Sequence, residues 1–178
     1  MRTDKYKKLV ADSNANNDGN SCTVLAGCVA FDLSYEQSYK LLERFGGRKK
    51  NDGLTTPNCW KGYSAINKFL GLKDRYQIKK FTRREIRVLA DDKTMTINNC
   101  TNYLNPRKSY IVFVSRHAVG VKNGIVHDWS QGTKRPVIDL FEVTDTESEL
   151  VAEPVQKVFK MGGFSAVLDG YRHTNSNL

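Results

Sequence analysis

Residues 109–129 read SYIVFVSRHAVGVKNGIVHDW, and this stretch decides the fold class. Residues 109–115 are of strand length and hold an unbroken β-branched and aromatic run, 110–114, between two serines, which predicts a buried strand. Residues 117–121 and 125–129 predict two more strands, joined by Lys122-Asn123-Gly124. Asn-Gly favours a two-residue hairpin because both positions accept positive φ at little cost. Residues 136–144 (PVIDLFEVT) add a fourth strand to this block.

Upstream the apolar period becomes helical. Residues 22–33 (CTVLAGCVAFDL) have the length and richness of a buried helix, with Ser21 or Asn20 at its N-cap. Ser34-Tyr35-Glu36-Gln37 is a capping-box pattern, and Leu41, Leu42 and Phe45 continue an apolar face that Gly46-Gly47 ends. Residues 48–55 form a basic, Gly-containing loop. Thr56-Pro57 opens a third helix, with the stripe Trp60, Tyr63, Ile66, Phe69 and Leu70 closed by Gly71.

A short extended piece at 76–81 precedes a basic fourth helix capped by Thr82 and Glu85. Residues 96–104 read as a fifth helix, stopped by Asn105-Pro106. Residues 1–20 are dominated by loop formers and predict an irregular lead-in. Residues 155–160 extend the sheet, and 171–178 read as a frayed tail. The expectation is a single α+β domain over 1–178, mainly helical over 22–104 and mainly β over 109–160.

Composition narrows the function classes. Hydrophobic residues make up 39% and charged residues 26%, as in a globular domain rather than a disordered chain. No apolar run approaches the roughly 20 residues that cross a bilayer, so no membrane partner is expected. The charged start, Met1 to Lys8, lacks the apolar core of a signal peptide, which predicts a cytoplasmic chain. Four cysteines (Cys22, Cys28, Cys59, Cys100) then read as free thiols. None lies in a Cys-x-x-Cys pair or at finger-like spacing from a histidine, so neither metal nor other cofactor is expected.

The net charge of +9 sits in the first half: residues 1–90 hold 18 Lys/Arg against 9 Asp/Glu, and residues 91–178 hold 10 of each. Such asymmetry fits either a solvated face or an acidic partner, nucleic acid included.

The chemistry centres on Cys22. A thiol becomes nucleophilic when a helix N-terminus and an imidazole lower its pKa, and Cys22 stands at a predicted helix start. His117 opens a strand, and Asp128 lies on the next strand of the same hairpin. Counting out from Asn123-Gly124 brings these two side chains together, so Asp128 can orient the imidazole. An oxyanion formed in acyl transfer needs two donors. One is the Cys22 N–H; Asn16, six residues upstream, is the first candidate for the other, with Asn17 and Asn20 as rivals.

Each has a competitor. Cys59 also lies near a helix start and precedes a tryptophan. His127 is the fallback base, although adjacency to Asp128 turns it to the opposite face of the strand. Trp129 is expected to pack over His117 and keep water from it. Cys28, amid Val29, Ala30 and Phe31, reads as core.

Gly19-Asn20-Ser21-Cys22 leading into an apolar helix, followed by the block from His117 to Trp129, resembles the papain-like cysteine peptidase superfamily. More narrowly, Tyr35-Glu36 and Gly47-Arg48 make residues 18–130 similar to small papain-like proteins of bacteriophages. The resemblance implies a Cys nucleophile, a His base and an Asp or Asn orienter in that chain order, on a papain-like fold. Asn16 departs from the glutamine usual in papain, and Ser21 stands where the phage-type proteins often have aspartate.

A thiol hydrolase acting on a peptide, isopeptide or other amide bond is therefore expected, with a peptide or protein substrate in the host cytoplasm. The same triad would also serve deamidation or transamidation. The competing expectation is a binding module whose basic half, within 1–90, contacts nucleic acid or an acidic protein.

Overall fold

The computed structural model describes residues 3–147. The strand extension at 155–160 and the tail at 171–178 lie outside these residues.

The lead-in is not irregular. Asp4–Ala15 forms α1, capped by the Thr3 hydroxyl, which accepts the Tyr6 N–H. Tyr6, Leu9 and Ser13 are buried at helical spacing and Val10 packs partly against the same core, while most other positions are polar or alanine. So few apolar anchors give a weak sequence signal, and the helix is held by their packing rather than by propensity.

Cys22–Phe31 forms α2, in which every residue after Cys22 is buried. A helix apolar on all sides belongs at the centre of a fold. Tyr35–Gly46 forms α3, with the expected capping box between Ser34 and Gln37 and a left-handed Gly47 after its end. Such a cap contributes about 1 kcal/mol. The third predicted helix breaks at Ala65 into α4 (Thr56–Ser64) and α5 (Ile66–Leu70). Tyr76–Phe81 is β1, and Arg83–Leu89 is α6, closed at its start by a Thr82–Glu85 capping box.

The fifth helix does not form; a 3₁₀ turn at Cys100–Asn102 stands in its place. Thr96 instead bridges Pro136, and Asn98 donates to the Thr133 carbonyl. Bonding to a distant segment replaces the local ladder there.

The sheet contains β1, β2 (Ser109–Val114), β3 (His117–Lys122), β4 (Ile125–His127) and β5 (Val137–Asp145) in the order β1-β5-β2-β3-β4. Every pairing is antiparallel. Asn123 and Gly124 take φ of 53° and 69°, the conformation an Asn-Gly hairpin requires.

All six β2 residues are buried because both sheet faces are covered. Ile111, Phe113, Phe141 and Val143 meet the helices α1–α5. Val112, Val114, Val119 and Leu140 meet Ile86, Met95, Ile97 and Leu104 on the far face. Fully burying each such side chain contributes about 1.5–3 kcal/mol.

Helix α2 lies against β3, where Gly120 lets it come close. A Cβ at Gly120 would stand 2.5 Å from the Val29 Cβ. Gly120→Ala is therefore expected to destabilise the chain by about 1–3 kcal/mol through overpacking. Urea denaturation should show the loss.

Candidate functional site

Cys22 is the first residue of α2, and this helix start has no side-chain cap. The Ser21 hydroxyl instead accepts a hydrogen bond from Ser13 Oγ at 2.6 Å. The first N–H groups of a helix have no intrahelical partner, so they stay available to an anion beside Cys22.

His117 begins β3, directly after the two-residue turn Ser115-Arg116. Register pairs Gly120 with His127. One further step sets Asp128 opposite Val119, so it approaches His117 diagonally rather than head-on, on the same face. His117 Nε2–H donates to Asp128 Oδ2 at 2.8 Å. Cys22 lies close enough to the same imidazole for each to shift the other's pKa, the thiol downward and the imidazole upward. The structure thus brings Cys22, His117 and Asp128 together.

Asp128 Oδ2 also accepts from the Ser130 N–H at 2.8 Å and from the Ser130 hydroxyl. Both residues are buried. Ser130 was not singled out from the sequence, although Asp-x-Ser is a known side-chain turn pattern.

Charge follows from these contacts. Burial alone would raise the Asp128 carboxyl, but the hydrogen bonds from His117 and Ser130 outweigh it and hold the group below its ordinary value. Burial alone would lower His117, yet its bonds to Asp128 and Cys22 raise its pKa to about 9. Burial would raise the Cys22 thiol, but His117 and the backbone N–H groups of Ala118 and Thr23 bring it below its ordinary value. The directions of these shifts favour a thiolate beside an imidazolium over the neutral pair.

The competitors sit elsewhere. Cys59 is fully buried, and desolvation pushes its thiol up to about 12. Desolvation likewise pushes Cys28 to about 12 and Cys100 to about 11. The His127 ring bonds Thr3 Oγ1 through Nδ1 at 2.8 Å, and burial lowers its pKa. The Trp129 ring lies 5.2 Å from that of His117, tilted by 45°, and is 53% exposed.

Asn16 does not reach the site. Its amide donates to the Asp12 carbonyl at 2.8 Å, and the residue lines a separate cavity with Tyr35 and Lys40. As the C-cap of α1 it is committed to that helix end. Asn20, one of the two rivals for that role, lines both cavities that flank Cys22.

The loop before Cys22 is fixed by a network that the basic reading of residues 48–55 did not anticipate. Asp18 and Arg48 form an ion pair at 2.7 Å with side chains 1% and 0% exposed. Asp18 further accepts from Tyr35 Oη at 2.5 Å and from the Asn51 N–H at 3.1 Å. Arg48 donates to the carbonyls of Asn20 and Lys49 and lies over the Tyr39 ring. Asn20 Nδ2 donates to the Asn51 carbonyl at 2.6 Å.

One cavity of about 360 Å³ lies on the α1 side of Cys22, beneath Trp129. Another of about 560 Å³ lies on the opposite side, between Gly53–Thr56 and the end of β2. Arg116 and His117 line both. Among the described residues no cluster of His, Cys, Asp or Glu could hold a metal ion, and no helix is long and apolar enough to cross a membrane. Comparison with known proteins finds no matching family model, curated protein or solved structure.

Two outcomes follow from this geometry. Iodoacetamide near neutral pH should alkylate Cys22 alone, with Cys28, Cys59 and Cys100 reacting only after unfolding; peptide mapping by mass spectrometry reads this directly. Arg48→Met should cost about 3–5 kcal/mol in denaturant unfolding, since it strands a buried carboxylate.

Proposed function

We propose that the chain is a papain-like thiol hydrolase that cleaves a peptide, isopeptide or related amide bond through Cys22, His117 and Asp128. One observation carries this reading: of four cysteines, only Cys22 has its thiol lowered, and its partner imidazole is oriented by a buried carboxylate. The chain order Cys, His, Asp, with the thiol on a buried helix and the other two on an antiparallel sheet, supports the papain-like assignment.

The Cys22 thiolate attacks the carbonyl carbon and the C=O electrons move onto oxygen. The Cys22 N–H and Asn20 Nδ2 are the proposed donors to that oxyanion; Asn20 has one amide hydrogen committed to Asn51 and a second free for this role. Collapse expels the amine, which takes its proton from the His117 imidazolium, leaving an acyl-thioester. Neutral His117 then removes a proton from water, which attacks the thioester and releases the acid and the thiol. Asp128 keeps the ring in the tautomer that does both. A side-chain amide losing ammonia, or an amine replacing water, follows the same steps.

The pH dependence is fixed by sign. Activity requires the thiolate, so it should be lost as pH falls through the lowered Cys22 pKa. It also requires the imidazolium, which is present below about 9 and lost as pH rises through that value. A bell-shaped kcat/KM profile on a quenched-fluorescent peptide library, with an alkaline limb near 9, is the expected result.

Cys22→Ala should abolish turnover and leave the melting temperature nearly unchanged. Asn20→Ala should lower kcat about 100-fold, the usual effect of losing one oxyanion donor. Retained turnover in Cys22→Ala would overturn the proposal.

A further inference from the structure

The charges lining the cleft are unevenly matched. Arg116 stands between the two cavities that flank Cys22, is exposed, and forms no ion pair among the described residues. The carboxylate of the smaller cavity, Asp18, is already held by Arg48. The larger cavity has no carboxylate among its described lining residues.

Beyond Ile138, which forms part of its wall, lies a third cavity of about 640 Å³. Its floor is apolar (Ile86, Met95, Val137), and its rim carries Arg83, Arg87 and Lys93 against the single carboxylate Asp92. All three cations are exposed and none is ion-paired among the described residues. They differ in this from Lys40, Lys79, Lys80 and Lys122, each of which faces a carboxylate.

Resting on the thiol-hydrolase reading above, we infer that the cleft takes an acidic peptide segment. Arg116 meets a carboxylate beside the scissile bond, and the Arg83–Arg87–Lys93 pocket meets a second one farther along the chain. Ile138 and the pocket floor supply apolar contact between them. A groove lined mainly by one sign of charge concentrates field on its occupant, so specificity and association rate both favour the acidic segment. A single-stranded nucleic acid fits less well, because the pocket floor is aliphatic and offers no aromatic platform for base stacking.

The test uses the Cys22→Ala chain, so that binding is read without turnover. Three fluorescein-labelled ten-residue peptides, alternating Ala with Glu, Gln or Lys, are titrated by fluorescence anisotropy at two salt concentrations. The Glu peptide is expected to bind at least about tenfold more tightly than the Gln peptide, and to weaken with salt as exposed charges are screened. Arg83→Glu with Arg87→Glu should erase most of that preference, and adding Arg116→Glu should reverse it. Arg83→Gln with Arg87→Gln gives a weaker effect in the same direction if the reversed chain does not fold.

Equal binding of the Glu and Gln peptides, or a preference that survives charge reversal, overturns the inference. So does tighter binding of a single-stranded oligothymidylate of equal charge through the same arginines. Iodoacetamide labelling of the unmodified chain separates the two readings. An unreactive Cys22 with the Glu preference intact defeats the hydrolase and leaves an acidic-peptide cleft.

Discussion

The ion pair between Asp18 and Arg48 is the contact on which the rest of the site depends. It joins three segments that are distant in sequence: the loop before Cys22, the start of α3 through Tyr35, and the loop after α3 through Asn51. Removing two charges from water costs several kcal/mol for each ion, and Arg48 Nε is buried with no partner. Such a pair adds little net stability. What it contributes is registration: Asn20, Ser21 and Cys22 are held against the segment whose continuation, Gly53–Thr56, walls the larger cavity. Cys22 and the cavity wall are thereby tied to one another, as the proposed hydrolysis, a reaction that tolerates little misplacement, requires.

The molecule contains its own control for what activates Cys22. Cys59 also lies in the early part of a helix, yet its thiol is raised to about 12 while that of Cys22 falls. Desolvation opposes ionisation at both, and it is the donors that reverse the outcome at Cys22. Cys22 has an imidazole and the N–H groups of Ala118 and Thr23, whereas at Cys59 the charge of Arg48 does not offset burial. The missing cap of α2 belongs to the same design: forgoing about 1 kcal/mol of capping leaves amides free to face negative charge.

Much of this was legible wherever local chemistry dictates the answer. The capping boxes at Ser34 and Thr82, the Asn123-Gly124 hairpin and the β2 run all form where their residues predict. The hairpin also gave the meeting of His117 and Asp128, since register follows from a two-residue turn. Three features escaped because they depend on distant partners. Helix α1 rests on Tyr6 and Leu9 finding the core. Arg48, within a run of basic residues, reads as solvated, and only the approach of Asp18 explains its burial. Spacing from Cys22 favoured Asn16, but α1 extends far enough to claim that side chain for its own C-cap. Asn20 is left beside the thiol.

The turn before His117 shows how tightly this geometry is constrained. Arg116 has a φ of 55°, a left-handed conformation that glycine adopts freely and an arginine adopts at a cost of roughly 1 kcal/mol. The turn must be tight, because Val114 and His117 are paired across it and His117 has to be the first residue of β3 to meet both Cys22 and Asp128. Glycine would satisfy the backbone alone. An arginine there meets the same backbone demand and also sets an unpaired cation into both cavities beside Cys22. On the proposal that the cleft takes an acidic segment, this cation is what the strained turn supplies beyond its backbone geometry.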